Sequence, residues 1–340
     1  MTPKITVLMA AYNAENFIEK SIKSIVDQTF TDFELLIIND GSSDKTVEIA
    51  KKFDDSRIRI IENDKNRGLV YTRNKGLKEA LGEYIAILDS DDVAVKNRLE
   101  LQYNFLLQYP EVVLCGGHAI AVDHDGKQIP SNLFTMPHGQ EEVKMQMLFL
   151  NTFVNSTVMF RALIVKELGG YRDYAPAEDY ELFTRIAEKY PIDNLDTVLV
   201  EYRIHHNNTS KLQSDLGDRN VRRIKSNQLT YLNIVSDNAG LADILFSISV
   251  WDFNSFKFSD YLYLFRTLKM ANIRLCKYPR EAFEKKLFQF WANIIITKGA
   301  KMNALILLMN RNLFKWSFMS GSQFRKALKL SIKNFGRYKN

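Results

Sequence analysis

YIAILDSDD, residues Tyr84–Asp92, is an apolar run that ends in a group of carboxylates. The apolar part, Tyr84–Leu88, has the length and the aromatic and branched side chains of a buried strand. Asp89 and Asp91 follow directly, so both carboxylates come at the end of that strand. Two carboxylates in this place can converge on one hard cation, Mg²⁺ or Mn²⁺, which also takes oxygen atoms from a diphosphate. A turn that caps the following helix is the simpler alternative.

Strands and helices alternate on both sides of this stretch. The segments predicted before it are strands at 5–9, 33–39 and 58–61 and helices at 14–28, 44–53 and 69–81. Those predicted after it are a strand at 156–160 and helices at 139–149, 161–168 and 180–189. Repeated alternation is typical of βαβ units and a parallel, doubly wound sheet. Ligands of such sheets bind beyond the carboxyl ends of the strands, where Tyr12, Asp40 and Asp89 fall.

The sequence lacks the motifs of several other protein classes. It has no G-x-G-x-x-G after the first strand and no P-loop motif, which removes the main support for dinucleotide-binding and P-loop enzymes. Cys115 and Cys276 are far apart, so we expect neither a disulfide framework nor a zinc site, and this cysteine usage fits a reducing cytoplasm. We expect no secretory signal and, without about 18 uninterrupted apolar residues, no spanning helix.

Charge divides the chain into two parts. Residues 1–210 carry 23 Lys and Arg against 32 Asp and Glu, a net −9, whereas residues 211–340 carry 23 against 8, a net +15. We therefore expect an α/β catalytic domain at 1–210 and a helical, basic, aromatic-rich domain at 211–340. Basic helices with Trp and Phe are typical of membrane-surface segments. Packing on the catalytic domain, or in a homo-oligomer, is the alternative, and no motif supports a nucleic-acid partner.

Short blocks of the sequence resemble family 2 glycosyltransferases with the GT-A fold. These blocks are Ala10–Glu15, Gln28–Phe30, Glu34–Asp44, Asn66–Leu69, Arg73–Asn74, Gly82–Ile85 and Leu88–Asp92. All of them occur in the family's order, and the resemblance covers residues 3–210. It implies a Rossmann-like, mainly parallel central sheet with flanking helices, followed here by a mostly helical C-terminal region.

The resemblance implies a nucleotide-sugar site at the strand ends. The implied donor-binding residues are Ala11 through its backbone, Tyr12, Asp40, Arg73, Asp89 and Ser90. Tyr12 and Asp40 match residues that hold the base, and Asp89 matches the residue near the ribose and diphosphate. Arg73 stands where family members commonly carry a basic residue near the donor phosphates. Asn39 replaces an Asp that the family often has, which alters one nucleotide contact.

The resemblance also implies a divalent metal cofactor, Mn²⁺ or Mg²⁺. Asp91 matches the principal metal ligand of the family. His205 belongs to a closing Y-R-x-H block and would reach the metal or the diphosphate. A structural role for His205 is the alternative, and the neighbouring His206 leaves the choice of histidine open.

Catalysis is implied for a second pair of acidic residues. Asp179 matches the general base that deprotonates the acceptor hydroxyl, which needs a carboxylate within hydrogen-bond reach. Glu178 and Asn155 are expected on the acceptor side. The alternative is that Glu178 and Asp179 have only a structural role, because the helix dipole favours negative charge at the start of a helix.

The resemblance thus implies an enzyme, an inverting hexosyltransferase that moves one hexose or N-acetylhexosamine from a nucleotide sugar, expected to be a UDP-sugar, to a glycan. The family's processive synthases carry a Q-x-x-R-W block and spanning helices, which are missing here. We expect a lipid-linked acceptor in bacterial surface-polysaccharide synthesis (O-antigen, capsule or exopolysaccharide), and a cytoplasmic protein peripheral on the inner face of the membrane. A sugar nucleotidyltransferase and a non-catalytic nucleotide-sugar-binding protein are the alternatives.

Overall fold

The structure is a computed structural model that describes residues 2–205, 214–235, 238–298 and 304–335. Its chain forms two compact units. Unit 1 comprises Met1–Met147 and Asn151–Val221, and unit 2 comprises Leu148–Leu150 and Arg222–Asn340. A three-residue segment of the first half of the sequence therefore belongs to the second unit. His206 lies outside the described residues.

Unit 1 is built on one nine-stranded sheet with the order β3-β2-β1-β4-β8-β6-β9-β5, with β7 paired to β6. Its strands are β1 (Ile5–Ala11), β2 (Phe33–Asn39), β3 (Ile58–Glu62), β4 (Tyr84–Ile87), β5 (Val93–Ala94), β6 (Leu114–Val122), β7 (Gln128–Phe134), β8 (Met159–Arg161) and β9 (Ile192–Arg203). The first four in chain order are parallel neighbours, and β1 and β2 are buried along nearly their whole length. Burial on both faces explains their continuous apolar runs.

The other half of the sheet is mixed. Strand β8 runs antiparallel between β4 and β6, and β9 runs parallel to β6. The two-residue strand β5, which follows the acidic stretch, pairs antiparallel with β9 and sets Val93 opposite Glu201. This pairing brings the Asp89–Asp92 stretch and the end of β9 to the same place in the sheet.

Helices flank this sheet, and all of them except the one at Arg98–Gln108, which was not predicted, lie where the sequence predicts a helix. They are α1 (Ile18–Val26), α2 (Thr46–Ala50), α3 (Leu69–Glu79), α4 (Arg98–Gln108), α5 (Gln140–Met147), α6 (Ala162–Glu167) and α7 (Glu178–Lys189). Helix α1 begins four residues later than predicted and buries Ile18, Ile22 and Ile25. The strand predicted at 156–160 begins only at Met159, because Asn155–Thr157 form a 3-10 turn instead.

Unit 2 is helical in the part that the structure describes. Its helices are α8 (Ser214–Tyr231, which begins in unit 1), α9 (Asn238–Ser249), α10 (Phe258–Leu275), α11 (Arg280–Lys298), α12 (Ala304–Leu308) and α13 (Gly321–Phe335). Trp291 of α11 is fully buried and donates through Nε1 to the Leu307 carbonyl at 2.9 Å, which ties α11 to α12. Among the described helices, none combines the length and the apolar character needed to cross a membrane.

Candidate active site

The ends of β1 and β2 meet at one edge of the sheet. The amide of Asp40, the residue after β2, donates to the carbonyl of Ala11, the last residue of β1, at 2.8 Å. The next residue, Gly41, has φ +70°, and a Cβ atom there would lie 2.5 Å from the carbonyl carbon of Lys65. Both the left-handed backbone and the close approach require glycine. Tyr12, predicted to hold the base, is 49% exposed.

The Asp40 carboxylate fixes the loop that precedes α3. It is buried, and it accepts hydrogen bonds from Asn63 Nδ2 (2.7 Å) and from the amides of Arg67 and Gly68 (2.9 Å each). Three donors on one buried carboxylate make this loop costly to displace. The nucleotide contact predicted for Asp40 stays a prediction, and the structure adds this positioning role to it.

Asp89 is the centre of a hydrogen-bond network at the end of β4. Its carboxylate accepts from Asn155 Nδ2 at 3.0 and 3.1 Å and from Ser156 Oγ at 3.1 Å. Arg73 Nη2 adds an ion pair at 3.0 Å. Because Asn155 and Ser156 lie in the 3-10 turn before β8, this turn and α3 both meet at Asp89. The sequence predicted Asn155 on the acceptor side, and its described contact is with Asp89, which was predicted on the donor side.

Arg73 joins that network to the second acidic pair. Its side chain is 5% exposed, and while Nη2 contacts Asp89, Nη1 donates to Glu178 Oε1. Burial by itself would lower the pKa of Arg73, but the charges of Glu178 and Asp89 outweigh it and raise this pKa above its ordinary value. Arg73 is therefore a permanent cation between two carboxylates. Contact with donor phosphates stays a prediction.

Asp179 stands at the start of α7, next to Glu178. Its carboxylate accepts from the Tyr180 amide at 2.6 Å and from Asn151 Nδ2 at 3.5 Å. Burial, and then the charge of Glu178, raise the pKa of Asp179 to about 7, although Arg73 opposes the shift. A carboxylate with a pKa near neutral holds a proton more strongly than an ordinary one and is still ionised above pH 7. These are the properties of a general base.

Asp91 and His205 meet at the other end of the acidic stretch. His205 Nε2 lies 2.8 Å from Asp91 Oδ2, and the two side chains are 11% and 24% exposed. Phe17 packs against the His205 ring, with 4.9 Å between ring centroids. The two residues that the sequence named as metal ligands are therefore neighbours.

Asp92 and Arg203 fix the backbone behind this pair. Asp92 is almost fully buried and accepts from the Arg203 amide at 2.8 Å, while Arg203 Nε donates to the Asp91 carbonyl at 2.8 Å. Burial first, and then the charges of Asp91 and Asp89, raise the pKa of Asp92 well above its ordinary value. Asp92 thus has a structural role that joins the acidic stretch to β9.

The donor set of Asp91 and His205 fits a divalent transition metal such as Mn²⁺. A carboxylate oxygen suits Mg²⁺ and Mn²⁺, and an imidazole nitrogen favours the transition metals. Within the described ranges, no three His, Cys, Asp or Glu side chains form a group that could hold a metal ion. Two protein ligands leave most coordination positions to other oxygen donors, as is usual for metals that bind with a phosphate substrate.

The structure brings most of the predicted site residues into two contact groups. Asp89, Arg73, Glu178 and Asn155 form one, and Asp91 and His205 form the other. Ser90 is linked to α1, since its carbonyl accepts from Ser21 Oγ at 3.0 Å. No role was predicted for two residues that the structure places here, Asn151 and Arg203. Arg203 stood in the Y-R-x-H block, which was its only signal.

The chain is similar to glycosyltransferases of known sequence. The family model "Glycosyl transferase family 2" matches residues 6–167. An uncharacterized glycosyltransferase of Haemophilus influenzae is 33% identical over 241 residues, 67% of this chain and 74% of that one. The O-antigen biosynthesis glycosyltransferase WbnJ of Escherichia coli is 32% identical, over 61% of this chain and 82% of that one. WfgD of Escherichia coli, a UDP-Glc:alpha-D-GlcNAc-diphosphoundecaprenol beta-1,3-glucosyltransferase, is 40% identical over 34% of this chain and 46% of that one.

Two solved structures share the fold. The S. aureus TarS 1-349 complex with UDP-GlcNAc has a TM-score of 0.56 at 17% identity and covers 99% of this chain and 91% of that one. The mannosyltransferase PcManGT from Pyrobaculum calidifontis, in complex with GDP-Man and Mn²⁺, has a TM-score of 0.53 at 15% identity, over 98% of this chain and 88% of that one. These likenesses confirm the predicted fold, a GT-A-type α/β sheet followed by a helical region.

Proposed function

The chain belongs to glycosyl transferase family 2 and is a glycosyltransferase, and from that premise we propose that it moves one hexose or N-acetylhexosamine from a UDP-sugar to a glycan acceptor. One observation carries this proposal. Arg73 contacts both Asp89, the acid expected beside the donor, and Glu178, the neighbour of the expected base Asp179. A single network thus joins the residue proposed for the donor side to the residues proposed for the acceptor side, which supports their action in one reaction.

The proposed reaction inverts the configuration of the transferred sugar. An acceptor hydroxyl attacks C1 from the face opposite the nucleotide. The new O–C1 bond forms while the bond from C1 to the diphosphate oxygen breaks, and the nucleoside diphosphate leaves with the electron pair. Asp179 takes the hydroxyl proton, and its raised pKa of about 7 suits that transfer. Arg73 holds Glu178 in place beside Asp179 and keeps the charge of this acidic pair compensated.

Asp91 and His205 would hold a divalent cation, for which Mn²⁺ or Mg²⁺ is proposed. When bound, the cation neutralises charge on the departing diphosphate. The chain prepares this site with its own contacts, because Arg203 fixes the Asp91 carbonyl and Phe17 packs on the His205 ring. The Mn²⁺ that the PcManGT structure contains supports the proposal.

We further propose a lipid-linked glycan as the acceptor and bacterial surface-polysaccharide synthesis as the setting, on the inner face of the cytoplasmic membrane. Two relatives support this. WbnJ is named for O-antigen biosynthesis, and the name of WfgD specifies an acceptor sugar linked through diphosphate to undecaprenol. The UDP-GlcNAc bound to TarS supports a UDP-sugar donor, whereas PcManGT binds GDP-Man.

A panel of nucleotide sugars tests the proposal. Melting temperatures are measured with UDP-, GDP- and dTDP-sugars in the presence of Mn²⁺, since a ligand of the native state stabilises it by mass action. The sugar that stabilises most is then supplied with a glycan-diphosphate-lipid acceptor, and released nucleoside diphosphate and the anomeric configuration of the product are recorded. Release of UDP with an inverted product is expected. Pyrophosphate release from a nucleoside triphosphate and a sugar phosphate would instead identify a nucleotidyltransferase.

A further inference from the structure

The last part of unit 2 has an unusual composition. From Lys285 to Asn340 the sequence holds twelve Lys and Arg and no Asp or Glu, a net charge of +12. Folded proteins ordinarily mix both signs of charge over their surface. A stretch of this length without one acidic residue points to an anionic partner.

The described residues of this stretch form a packed framework. Ala327 and Ser331 of α13 are buried, and Ser331 Oγ accepts from the Leu305 amide of α12 at 3.3 Å. The 3-10 turn Trp316–Phe318 lies between α12 and α13 and buries Phe318. The exposed side chains of this stretch are therefore held on a folded support.

The described residues of that framework include both exposed large apolar side chains and exposed cations. The exposed apolar residues are Ile306 (67%), Met309 (46%), Trp316 (66%), Phe324 (38%) and Leu328 (37%). Within residues 304–335 the exposed cations are Arg311, Lys315, Arg325, Lys326 and Lys329, of which Lys315 also pairs with the buried Glu284 at 3.1 Å. On α13, Phe324 and Leu328 are four residues apart and so share one face, while the cations lie on another. We call these ten residues the cationic apolar surface.

We propose that the cationic apolar surface binds the surface of an anionic phospholipid bilayer. Lys and Arg are attracted to anionic headgroups, and Trp, Phe and aliphatic side chains enter the boundary between headgroups and acyl chains. The proposal goes beyond the sugar-transfer reaction and does not depend on it. It specifies the residues that would hold the enzyme where a lipid-linked acceptor is found.

Two other occupants fit the surface less well. A second copy of the chain, meeting through the same surface in a two-fold dimer, would bring like charges together, which costs free energy. Single-stranded nucleic acid would use the cations and stack on Trp316 and Phe324, but it gives no role to the aliphatic Ile306, Met309 and Leu328. A bilayer uses the cations and all the apolar side chains.

Co-sedimentation of the full chain with vesicles tests the proposal. Vesicles of phosphatidylglycerol and phosphatidylethanolamine are compared with vesicles of phosphatidylcholine alone. We expect much stronger binding to the anionic vesicles than to the neutral ones. This binding should weaken as salt rises, because salt screens exposed charges. Equal binding to both kinds of vesicle, or to neither, would overturn the proposal.

Matched variants localise the effect. Replacing Arg325, Lys326 and Lys329 together with Gln should lower the vesicle partition coefficient about 100-fold, from the attraction expected of three cations near such a surface. The control replaces Lys20, Lys78 and Lys96, three exposed lysines of unit 1, with Gln and so removes the same charge. Equal loss in both variants would mean that net charge alone binds the vesicle.

A second pair of variants tests the apolar contribution. Trp316→Ala should lower the part of the binding that persists at high salt, whereas Trp251→Ala should not, although Trp251 is 54% exposed. Trp251 is followed by Asp252 and lies outside the cationic stretch. Unchanged melting temperatures show that each variant is folded. If the variants leave vesicle binding unaltered but change the oligomeric state of the free protein, the partner is a second copy of the chain. If they instead change binding to an oligonucleotide, the partner is a nucleic acid. Either result would refute the bilayer as the partner.

Discussion

The active-site region of unit 1 and the cationic apolar surface of unit 2 use charge in opposite ways. In the active-site region of unit 1, charges are buried or partly buried and each acts through a specific partner, as Arg73 does at 5% exposure between Asp89 and Glu178. On the cationic apolar surface of unit 2, Arg325, Lys326 and Lys329 are exposed and of one sign. A buried charge that loses its partner is costly, whereas an exposed charge is screened and contributes little alone. Single substitutions should therefore be decisive in the first region, and only combined ones in the second.

The largest expected effect is that of Asp91→Asn. This change removes the proposed principal metal ligand, so turnover should fall below detection. Its second readout does not depend on activity: the extra stabilisation that Mn²⁺ gives to the UDP-bound protein should vanish, measured as the shift in melting temperature. His205→Ala should reduce the same shift only in part. Full activity of the unmodified enzyme in EDTA would exclude the metal altogether.

Asp179→Asn should have the next largest effect. Loss of a general base typically lowers kcat by about 10²- to 10⁴-fold. Donor affinity should stay near that of the unmodified enzyme, and a collapse of donor affinity would mark Asp179 as a binding residue instead.

Although Asp179→Asn should lower kcat, it should raise the stability of the folded protein above neutral pH. Because the pKa of Asp179 is raised to about 7 in the folded state, above the value in an unfolded chain, folding binds a proton between pH 4 and 7 and loses stability as pH rises through that window. Asn carries no such charge, so the variant should melt at a higher temperature than the unmodified protein at pH 8.

Arg73 tests whether the two sides of the site are coupled. Arg73→Gln removes the cation that lowers the pKa of Asp179, so the acid limb of the pH–rate profile should move to higher pH. It also leaves Glu178 buried without a partner cation, which should destabilise unit 1 by about 3–5 kcal/mol. Arg73→Lys keeps the positive charge but cannot contact Asp89 and Glu178 at once through two guanidinium nitrogens. Its pH–rate profile should therefore be closer to that of the unmodified enzyme than its kcat is. A profile that does not move in either variant would show that Arg73 is only a structural residue.

The sequence predicted the parts of this site that lie on regular elements. The apolar run Tyr84–Leu88 fixed the position of Asp89, because a buried strand must end where its carboxylates begin. It could not predict the 3-10 turn at Asn155–Thr157, where β-branched and polar residues read equally well as a strand. The contact of His205 with Asp91 arises from the β5–β9 pairing, between segments more than a hundred residues apart, and only the family resemblance placed the two together.

For unit 2, sequence composition predicted the class of structure but not its contacts. The net charge and the aromatic residues indicated basic helices, and the structure shows helices in the described residues. Periodicity could not show that Glu284, the last acidic residue of the chain, is surrounded by three cations. Lys269 and Lys315 lie 3.2 and 3.1 Å from its Oε2, and Arg280 lies 3.3 Å from its Oε1. At Glu284, unit 2 follows the pattern of unit 1, because a buried charge acts through specific partners.

The smallest expected effect is that of replacing Glu284, and it tests most directly whether a buried charge of unit 2 serves stability alone. Its side chain is 6% exposed, and although burial acts to raise its pKa, the donors Lys315 and Lys269 hold the pKa below its ordinary value. Glu284→Gln should cost about 1.5–3 kcal/mol in the free energy of unfolding at pH 7, the range for hydrogen bonds to a charged group. A carboxylate whose pKa is lower in the folded state stabilises the protein above its unfolded-state pKa. This stabilisation is lost as pH falls through the folded-state pKa, so the cost of Glu284→Gln should disappear near pH 3.

The control for that change lies on the same helix. Glu281→Gln removes the same charge one turn earlier, at an exposed position, and should leave urea unfolding unaltered. Neither variant should change the affinity for UDP or kcat if the buried cluster of unit 2 serves stability alone. A fall in kcat for Glu284→Gln without a fall in stability would contradict the contrast between the two units, because a charge of the second unit would then act on the chemistry of the first.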